Sequence, residues 1–334
     1  MLCNRVRVLG MLAAGAIFAM AGCAGENVGW MLKPVPLDEE LTESVLASDA
    51  TWLDPTRIVV VDVDGLLVNE RQKGFLGLGD NPVSLFAEKI DKAQADPRVK
   101  ALIVRINSPG GGVTASDIMY RRLMQFRQAR KAPVIAIIED VGASGGYYLA
   151  CAADAILAHP TSVTGSIGVM VQTVSFAGTM EKLGITGQAV TSGPHKDMAS
   201  PLKPLAKEDL AILQQIVDRY HRRFVGVVAS ARAGLRKDQL AALTDGRVFA
   251  ASQAAKEGLI DGLGYMDDAI ALAKSRAGIA RARVVMYHRP LGSKASVYSR
   301  LSVPAPQVNL LNITLPDVLS WGRPRFMYLW TGKR

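Results

Sequence analysis

The chain has 334 residues, 49% of them hydrophobic, and a formal net charge of +9, enough apolar material for one large domain or two ordinary ones. Its three cysteines, Cys3, Cys23 and Cys151, allow neither a disulfide framework nor a metal-ligand spacing. Residues 274–334 hold eleven Lys/Arg against the single acid Asp317. With no recognition motif beside it, that excess argues for a solvated tail or one lying on an anionic membrane surface, and against nucleic acid.

In chain order, "MLCNRVRVLGMLAAGAIFAMAGCAG" places Arg5 and Arg7 before an apolar segment, Val8 to Met20, and then Ala21-Gly22-Cys23. The apolar segment is short for a membrane span and suits the h-region of a signal peptide. Small residues before Cys23 are similar to a bacterial lipobox, in which the cysteine is lipidated. An uncleaved anchor and an ordinary secreted protein are the alternatives, and each puts the remaining chain outside the cytoplasm. A mixed, Pro-containing tether follows.

"RIVVVDVDGLLV" (57–68) has the β-branched composition of a strand. "GFLGLGDNP" is a Gly-rich loop, and "VSLFAEKIDKAQADP" a helix ending near Pro97. "VKALIVRIN" is a second buried strand, followed by "SPGGG" and a helix to about Arg130. "APVIAIIED" is a third strand, after which Ser144 opens the next helix, and short strands follow around Pro160 and Gly165. Strand, glycine turn, helix, repeated, is an α/β pattern. From Lys207 to Ala233, Leu210, Leu213, Val217, Tyr220, Phe224 and Val228 recur at helical spacing. After Ala280 the chain turns Pro-rich and basic. It ends in "RFMYLW", which reads as a docked edge strand or as a substrate-mimicking tail.

Two glycine-rich turns follow strands: "SPGGG" (108–112) and "GASGG" (142–146). Glycine lets a backbone approach a ligand and turn its N–H groups outward. Neither turn has phosphate-loop spacing, which leaves plain turn chemistry or an oxyanion hole beside the lone hydroxyl of Ser144. A nucleophilic serine needs a base. Among the four histidines, His159, His221 and His288 read as structural or surface residues. The polar segment "TSGPHKDMAS" (191–200) offers His195, Lys196 and Asp197. A lysine serves as base only when unprotonated.

Taken together, "INSPGGG", "GASGGYYLACAAD", "TGSIGV", "HKDM" and "DGRVFAASQAAKEGLIDGLG", in that order over residues 57–275, resemble the signal peptide peptidase A family. The resemblance implies an α/β, Clp/crotonase-like fold of repeated β-β-α units. It also implies a Ser-Lys dyad of Ser144 and Lys196, with Ser166 orienting the lysine, and His195 departs from the residue expected before that lysine. The expected oxyanion hole is Gly145 with Gly110 or Gly111. Substrate is expected as an added strand along Gly112 and Val113 on one side and Gly168 and Val169 on the other.

The domain plan is therefore a lipoprotein-type signal peptide (1–23), a tether (24–56), a peptidase domain (57–280) and a basic segment with an aromatic end (281–334). The expected activity is that of a membrane-attached, extracytoplasmic endopeptidase for cleaved signal peptides or other membrane-released peptides. No cofactor, metal or nucleic acid is expected. The family's longer members carry two copies of the domain, so this chain is expected to form a homo-oligomer with active sites shared between subunits. Rival readings are an acyl-CoA hydratase or thioesterase on the same fold and a non-catalytic membrane scaffold.

Overall fold

The computed structural model describes residues 40–70, 73–74, 77–78, 80–289 and 326–332. The N-terminal apolar segment and Cys23 lie outside them. Among the described residues, no helix is long and apolar enough to cross a membrane.

The elements in chain order are β1 (Thr42–Ser48), β2 (Arg57–Leu67), the two-residue strands β3 (Lys73–Gly74) and β4 (Gly77–Leu78), α1 (Pro82–Ala95), β5 (Val99–Gly112), α2 (Val113–Arg130), β6 (Val134–Ala143) and α3 (Gly145–Ala150). Then come β7 (Ala155–Ala158), β8 (Val163–Gly165), β9 (Met170–Val171), α4 (Ala177–Lys182), α5 (Lys207–Ala231), α6 (Lys237–Leu243), β10 (Val248–Ala250), α7 (Ala251–Lys256), β11 (Gly262–Leu263), α8 (Met266–Ala277), β12 (Arg283–His288) and β13 (Phe326–Leu329).

The main sheet runs β1-β12-β2-β5-β6-β7-β11. From β12 to β11 neighbouring strands are parallel, with Val59 opposite Leu102 and Ile103 opposite Ile135. Central parallel strands are covered on both faces and read as continuous apolar runs, as "RIVVV" and "ALIV" do. Val59, Val61, Leu102, Val104, Ala136 and Ile138 face one core, closed by Phe86 and Ile90 of α1, Met119, Leu123 and Phe126 of α2, and Phe224 and Val228 of α5. Ile58, Val60, Ile103, Ile135 and Ile137 face the other, closed by Met266, Ala269, Ile270 and Ala273 of α8. Each fully buried aliphatic side chain contributes about 2 kcal/mol.

Helix starts follow local chemistry. Asn81 caps α1 by accepting from the N–H groups of Val83 (3.0 Å) and Ser84 (3.3 Å), and Pro82 sits at the first helical position, where its missing N–H costs nothing.

The sheet extends past the 57–280 bounds on both sides. Residues 42–48, read from sequence as tether, form β1 and pair antiparallel with β12, which lies in the segment read as a basic tail. His288, assigned to the surface, is buried: its Nε2 meets Ser44 Oγ at 2.6 Å and its Nδ1 lies 2.7 Å from the Arg289 carbonyl. The polar bonds between β1 and β12 give this otherwise weakly apolar strand a place in the sheet.

The buried strands also carry charge. Arg105 in β5 is 1% exposed and donates to Asp62 of β2 at 2.8 Å, with Glu139 of β6 at 3.8 Å. A guanidinium inside a sheet is tolerable only with such carboxylates around it.

Candidate active site

Ser144 stands at the junction of β6 and α3 with φ +53° and ψ −115°. A non-glycine residue with positive φ is strained by about 1 kcal/mol or more, and strain of this kind marks strand-to-helix turns that expose a nucleophile. Two backbone bonds hold it: its N–H donates to the Gly165 carbonyl at 2.7 Å, and its carbonyl accepts from Tyr148 N–H at 2.8 Å. The residue is buried, and its Oγ has no hydrogen-bond partner. Buried hydroxyls are almost always bonded, so an unengaged Oγ on a strained turn is what a reactive serine requires.

The small residues around it are a steric necessity. A Cβ on Gly145 would stand 2.4 Å from Ser116 Oγ, and one on Gly146 would stand 2.7 Å from the Ser108 carbonyl. On Gly110 it would stand 2.6 Å from Gly145 N, and on Gly111 only 2.2 Å from the Leu67 carbonyl. The "SPGGG" segment is therefore no turn but the extended end of β5, with Gly110 at φ +98°. It lies close enough to Gly145 that the two backbones bracket one small space. The N–H of Gly110 is taken by Ser108 Oγ at 3.1 Å.

Gly112 is the last residue of β5 and Val113 the first of α2, so of the expected Gly112–Val113 edge only Gly112 is in a strand. Gly168 and Val169 precede β9 in a non-regular link. Ser166 also has positive φ (+49°), is 7% exposed, and donates its N–H to the Arg247 carbonyl at 2.7 Å. Lys196 lies in the turn-rich segment 194–199 and is exposed. Within one chain its Nζ makes no bond to Ser144 Oγ, since that oxygen has no partner.

The histidines are engaged elsewhere. His195 Nδ1 meets Asp209 Oδ1 at 2.6 Å, His221 Nε2 meets the Thr244 carbonyl at 2.8 Å, and His159 packs on Tyr265 with ring centroids 5.1 Å apart. Among the described residues no group of His, Cys, Asp and Glu could hold a metal ion.

Sequence reasoning did not reach the aromatic cluster behind Ser144. Tyr147 is fully buried and donates its hydroxyl to the Leu259 carbonyl at 2.6 Å. Tyr148 donates to Asp117 at 2.6 Å, and Arg223 holds the same carboxylate at 2.6 Å. Burial, and after it the hydrogen bond with Asp117, pushes the Tyr148 phenol well above its usual range. "GGYYLACAAD" signals the pair only by putting two tyrosines in an otherwise small, apolar helix.

A strained, buried serine at a strand-to-helix turn, faced by a glycine strand, has the geometry that acyl transfer by a serine nucleophile requires. The comparisons agree. Residues 126–280 match the Peptidase family S49. A putative signal peptide peptidase SppA of Enterococcus faecium is 32% identical over 74% of this chain and 71% of its own length. A putative protease of Synechocystis is 30% identical over 81% of this chain and 96% of its own. Protease 4 of Salmonella typhi is 34% identical over 66% of this chain but only 34% of its own length. The 1510-N membrane-bound stomatin-specific protease aligns over 64% of this chain and 82% of its own at 16% identity and a TM-score of 0.42. The chain belongs to peptidase family S49. It is a serine peptidase of mixed α/β fold.

Proposed function

We propose that the chain is a membrane-attached endopeptidase working through a Ser144–Lys196 dyad on cleaved signal peptides or other membrane-released peptides. The observation that carries the nucleophile is the buried, unbonded Oγ of Ser144 on its strained turn. Peptide binds as a strand along the end of β5, its carbonyl lodged between Gly145 and the glycine strand. The oxyanion is held by the N–H of Gly145 and that of Gly111, because Ser108 holds the N–H of Gly110. Losing one such donor typically costs about 3 kcal/mol of transition-state stabilisation.

Neutral Lys196, oriented by Ser166, takes the Ser144 proton as Oγ attacks the peptide carbonyl. The lysine then returns that proton to the leaving amine, and a water repeats the sequence to free the acyl group. Lys196 is exposed and unbonded to Ser144 in its own chain, which favours a lysine supplied to each serine by a neighbouring copy. Lipid on Cys23, left as the first residue once the apolar segment ahead of it is removed, anchors the assembly outside the cytoplasm.

A fluorophosphonate probe tests the nucleophile: the chain is labelled, and Ser144→Ala abolishes the label. Lys196→Arg, whose guanidinium keeps its proton, is labelled slowly and cleaves no peptide. Full activity in Lys196→Arg refutes the dyad. Labelling that persists in Ser144→Ala refutes the nucleophile.

A further inference from the structure

Thr51 to Asp54 form the turn that leads from β1 into β2, closed by the Asp54 N–H donating to the Thr51 carbonyl at 3.1 Å. Its two central residues are Trp52 and Leu53, which are 83% and 70% exposed. Turn tips ordinarily carry glycine, proline, asparagine, aspartate or serine, and an indole beside a leucine is poor chemistry for a tip that meets only water. The turn is held in place on both sides. Asp54 Oδ1 accepts from the Thr56 N–H at 2.9 Å, and the Arg283 guanidinium donates to the Trp52 carbonyl at 3.2 Å. Single exposed apolar side chains are common on any surface; the charge around these two sets them apart.

The turn lies at the N-terminal end of the parallel strands, where Arg57 of β2 stands opposite Val99 of β5 and Arg283 of β12. The C-terminal ends of α1, α2 and α8 come to the same end, since they lead into β5, β6 and β12. Residues 49–57, 92–100, 127–133, 154 and 274–283, which build this face, hold eleven Lys/Arg against four Asp. The rest of residues 40–289 holds nineteen Lys/Arg against twenty-two Asp/Glu, so the basic excess is confined to the face that carries Trp52 and Leu53. Three of its four acids are already neutralised: Asp49 by Lys274 at 2.6 Å, Asp96 by Arg57 and Arg98 at 2.8 Å each, and Asp154 by Arg127. Lys100, Lys131, Arg276 and Arg281 are exposed there, and Lys131 and Arg276 line a cleft between α2 and α8.

We infer that this face docks on an anionic lipid surface, with Trp52 and Leu53 entering the headgroup layer and the surrounding cations lying over the phosphates. Tryptophan and leucine beside Lys and Arg are the composition of an interfacial anchor, and each basic residue near such a surface strengthens binding about fivefold. A second copy meeting the face head-on would set like charges together, whereas a bilayer supplies the opposite sign. The inference rests on the reading of the chain as membrane-attached and adds which side lies down. Seventeen residues separate Cys23 from Glu40, a reach of at most about 60 Å, enough for a lipid on Cys23 to share the bilayer with this face. Ser144 follows the ten residues of β6, which at about 3.3 Å per residue puts it some 30 Å above the lipid. The catalytic end then faces away from the membrane, and a peptide reaches it only after leaving the bilayer.

The test puts a nitrobenzoxadiazole dye on Leu53→Cys and, in a second full-length chain, on Val248→Cys. Val248 lies in β10, which joins the C-terminal end of β6 through β8, so it marks the opposite end of the body. Each chain is floated with vesicles of phosphatidylcholine, alone or in equal parts with phosphatidylglycerol, that carry a headgroup-level spin-labelled lipid. The unsubstituted chain treated with the same dye corrects for its own cysteines. In the anionic vesicles, quenching at position 53 is expected to exceed that at 248 by about fivefold or more. Leaving out phosphatidylglycerol, or combining Lys131→Glu, Arg276→Glu and Arg281→Glu, is expected to cut it by about fivefold or more. Flotation without quenching at 53, or with equal quenching at both positions, overturns the inference and leaves the membrane anchor standing. Absence of flotation with either vesicle overturns both. Undiminished quenching in phosphatidylcholine alone overturns the anionic surface, and a dye shift at 53 that follows protein concentration without vesicles gives the face to a second copy instead. Should the triple substitution unfold the chain, salt decides. At about 1 M, where screening acts beyond about 3 Å, quenching at 53 is expected to fall, and unchanged quenching overturns the role of the cations.

Discussion

Asp96 shows how one side chain ties stability to pH. It ends α1 and meets Arg57 and Arg98 at 2.8 Å each, and burial alone would raise its pKa. The hydrogen bonds from Arg98 and Arg57 outweigh that burial and bring the carboxyl down to about 2. A folded pKa below the unfolded one contributes stability that is present above the unfolded value, about 4, and is lost as pH falls through the folded one. Thermal stability should therefore drop between about pH 4 and about pH 2, with Asp96 supplying about 1 kcal/mol of the loss after solvent screening. Asp96→Asn is expected to start lower at neutral pH and to show a shallower acid decline, read by melting temperature against pH. Cys151 makes the opposite case: burial pushes its thiol up to about 12 against the opposing pull of Arg232. It should resist iodoacetamide at neutral pH and react only on unfolding, as mass spectrometry of the Cys151 peptide would show. Rapid alkylation of the folded chain contradicts its placement in the core.

Strands show where the sequence was readable and where it was not. Runs such as "RIVVV", "ALIV" and "VIAII" announced β2, β5 and β6 because parallel central strands bury both faces. Arg105 in such a run was the exception, and its explanation lay on the two neighbouring strands, in the carboxylates of Asp62 of β2 and Glu139 of β6. The "SPGGG" segment read as a turn because glycine permits one, yet its glycines instead let β5 run on against β2. The contrast between Gly111 and Gly112 tests this. A Cβ at Gly111 meets the Leu67 backbone at 2.2 Å, whereas at Gly112 the nearest atom is 3.7 Å away. Gly111→Ala is expected to cost about 2–3 kcal/mol in denaturant unfolding, as overpacking of a rigid backbone does, and Gly112→Ala less than about 0.5 kcal/mol. Equal costs contradict the close approach of β2 and β5. The pairing of β13 with β5 joins segments about two hundred residues apart; "RFMYLW" read as a docked edge strand or a substrate-mimicking tail, and the structure gives it a partner on each side, β5 and β9, rather than an edge.

At the scale of the whole molecule, the position of Ser144 at a strand-to-helix turn was legible because a hydroxyl between a strand and a glycine-rich helix start is a local feature. The place of Lys196 was not legible, because meeting a base depends on how distant surfaces, or distant copies, come together. The stretch of chain that carries the lysine, from Val174 to Leu202, exposes Val174, Phe176, Leu183, Ile185, Val190 and Leu202, and apolar exposure on that scale marks a contact surface. A shared site makes a specific demand on an assembly of identical chains. Head-to-tail contacts present two different faces per subunit, so Ser144 of one copy can face Lys196 of the next. Ser144→Ala and Lys196→Ala homo-oligomers are each expected to be inactive on peptide. Refolded together, they form some junctions in which an intact serine faces an intact lysine, and cleavage should return to a fraction of wild type. The same two variants assembled separately and mixed without subunit exchange supply the baseline. Mixed oligomers that form, as shown by differential mass labels, and still cleave nothing above the baseline would place Ser144 and Lys196 within a single chain, requiring the 194–199 segment to move onto its own serine.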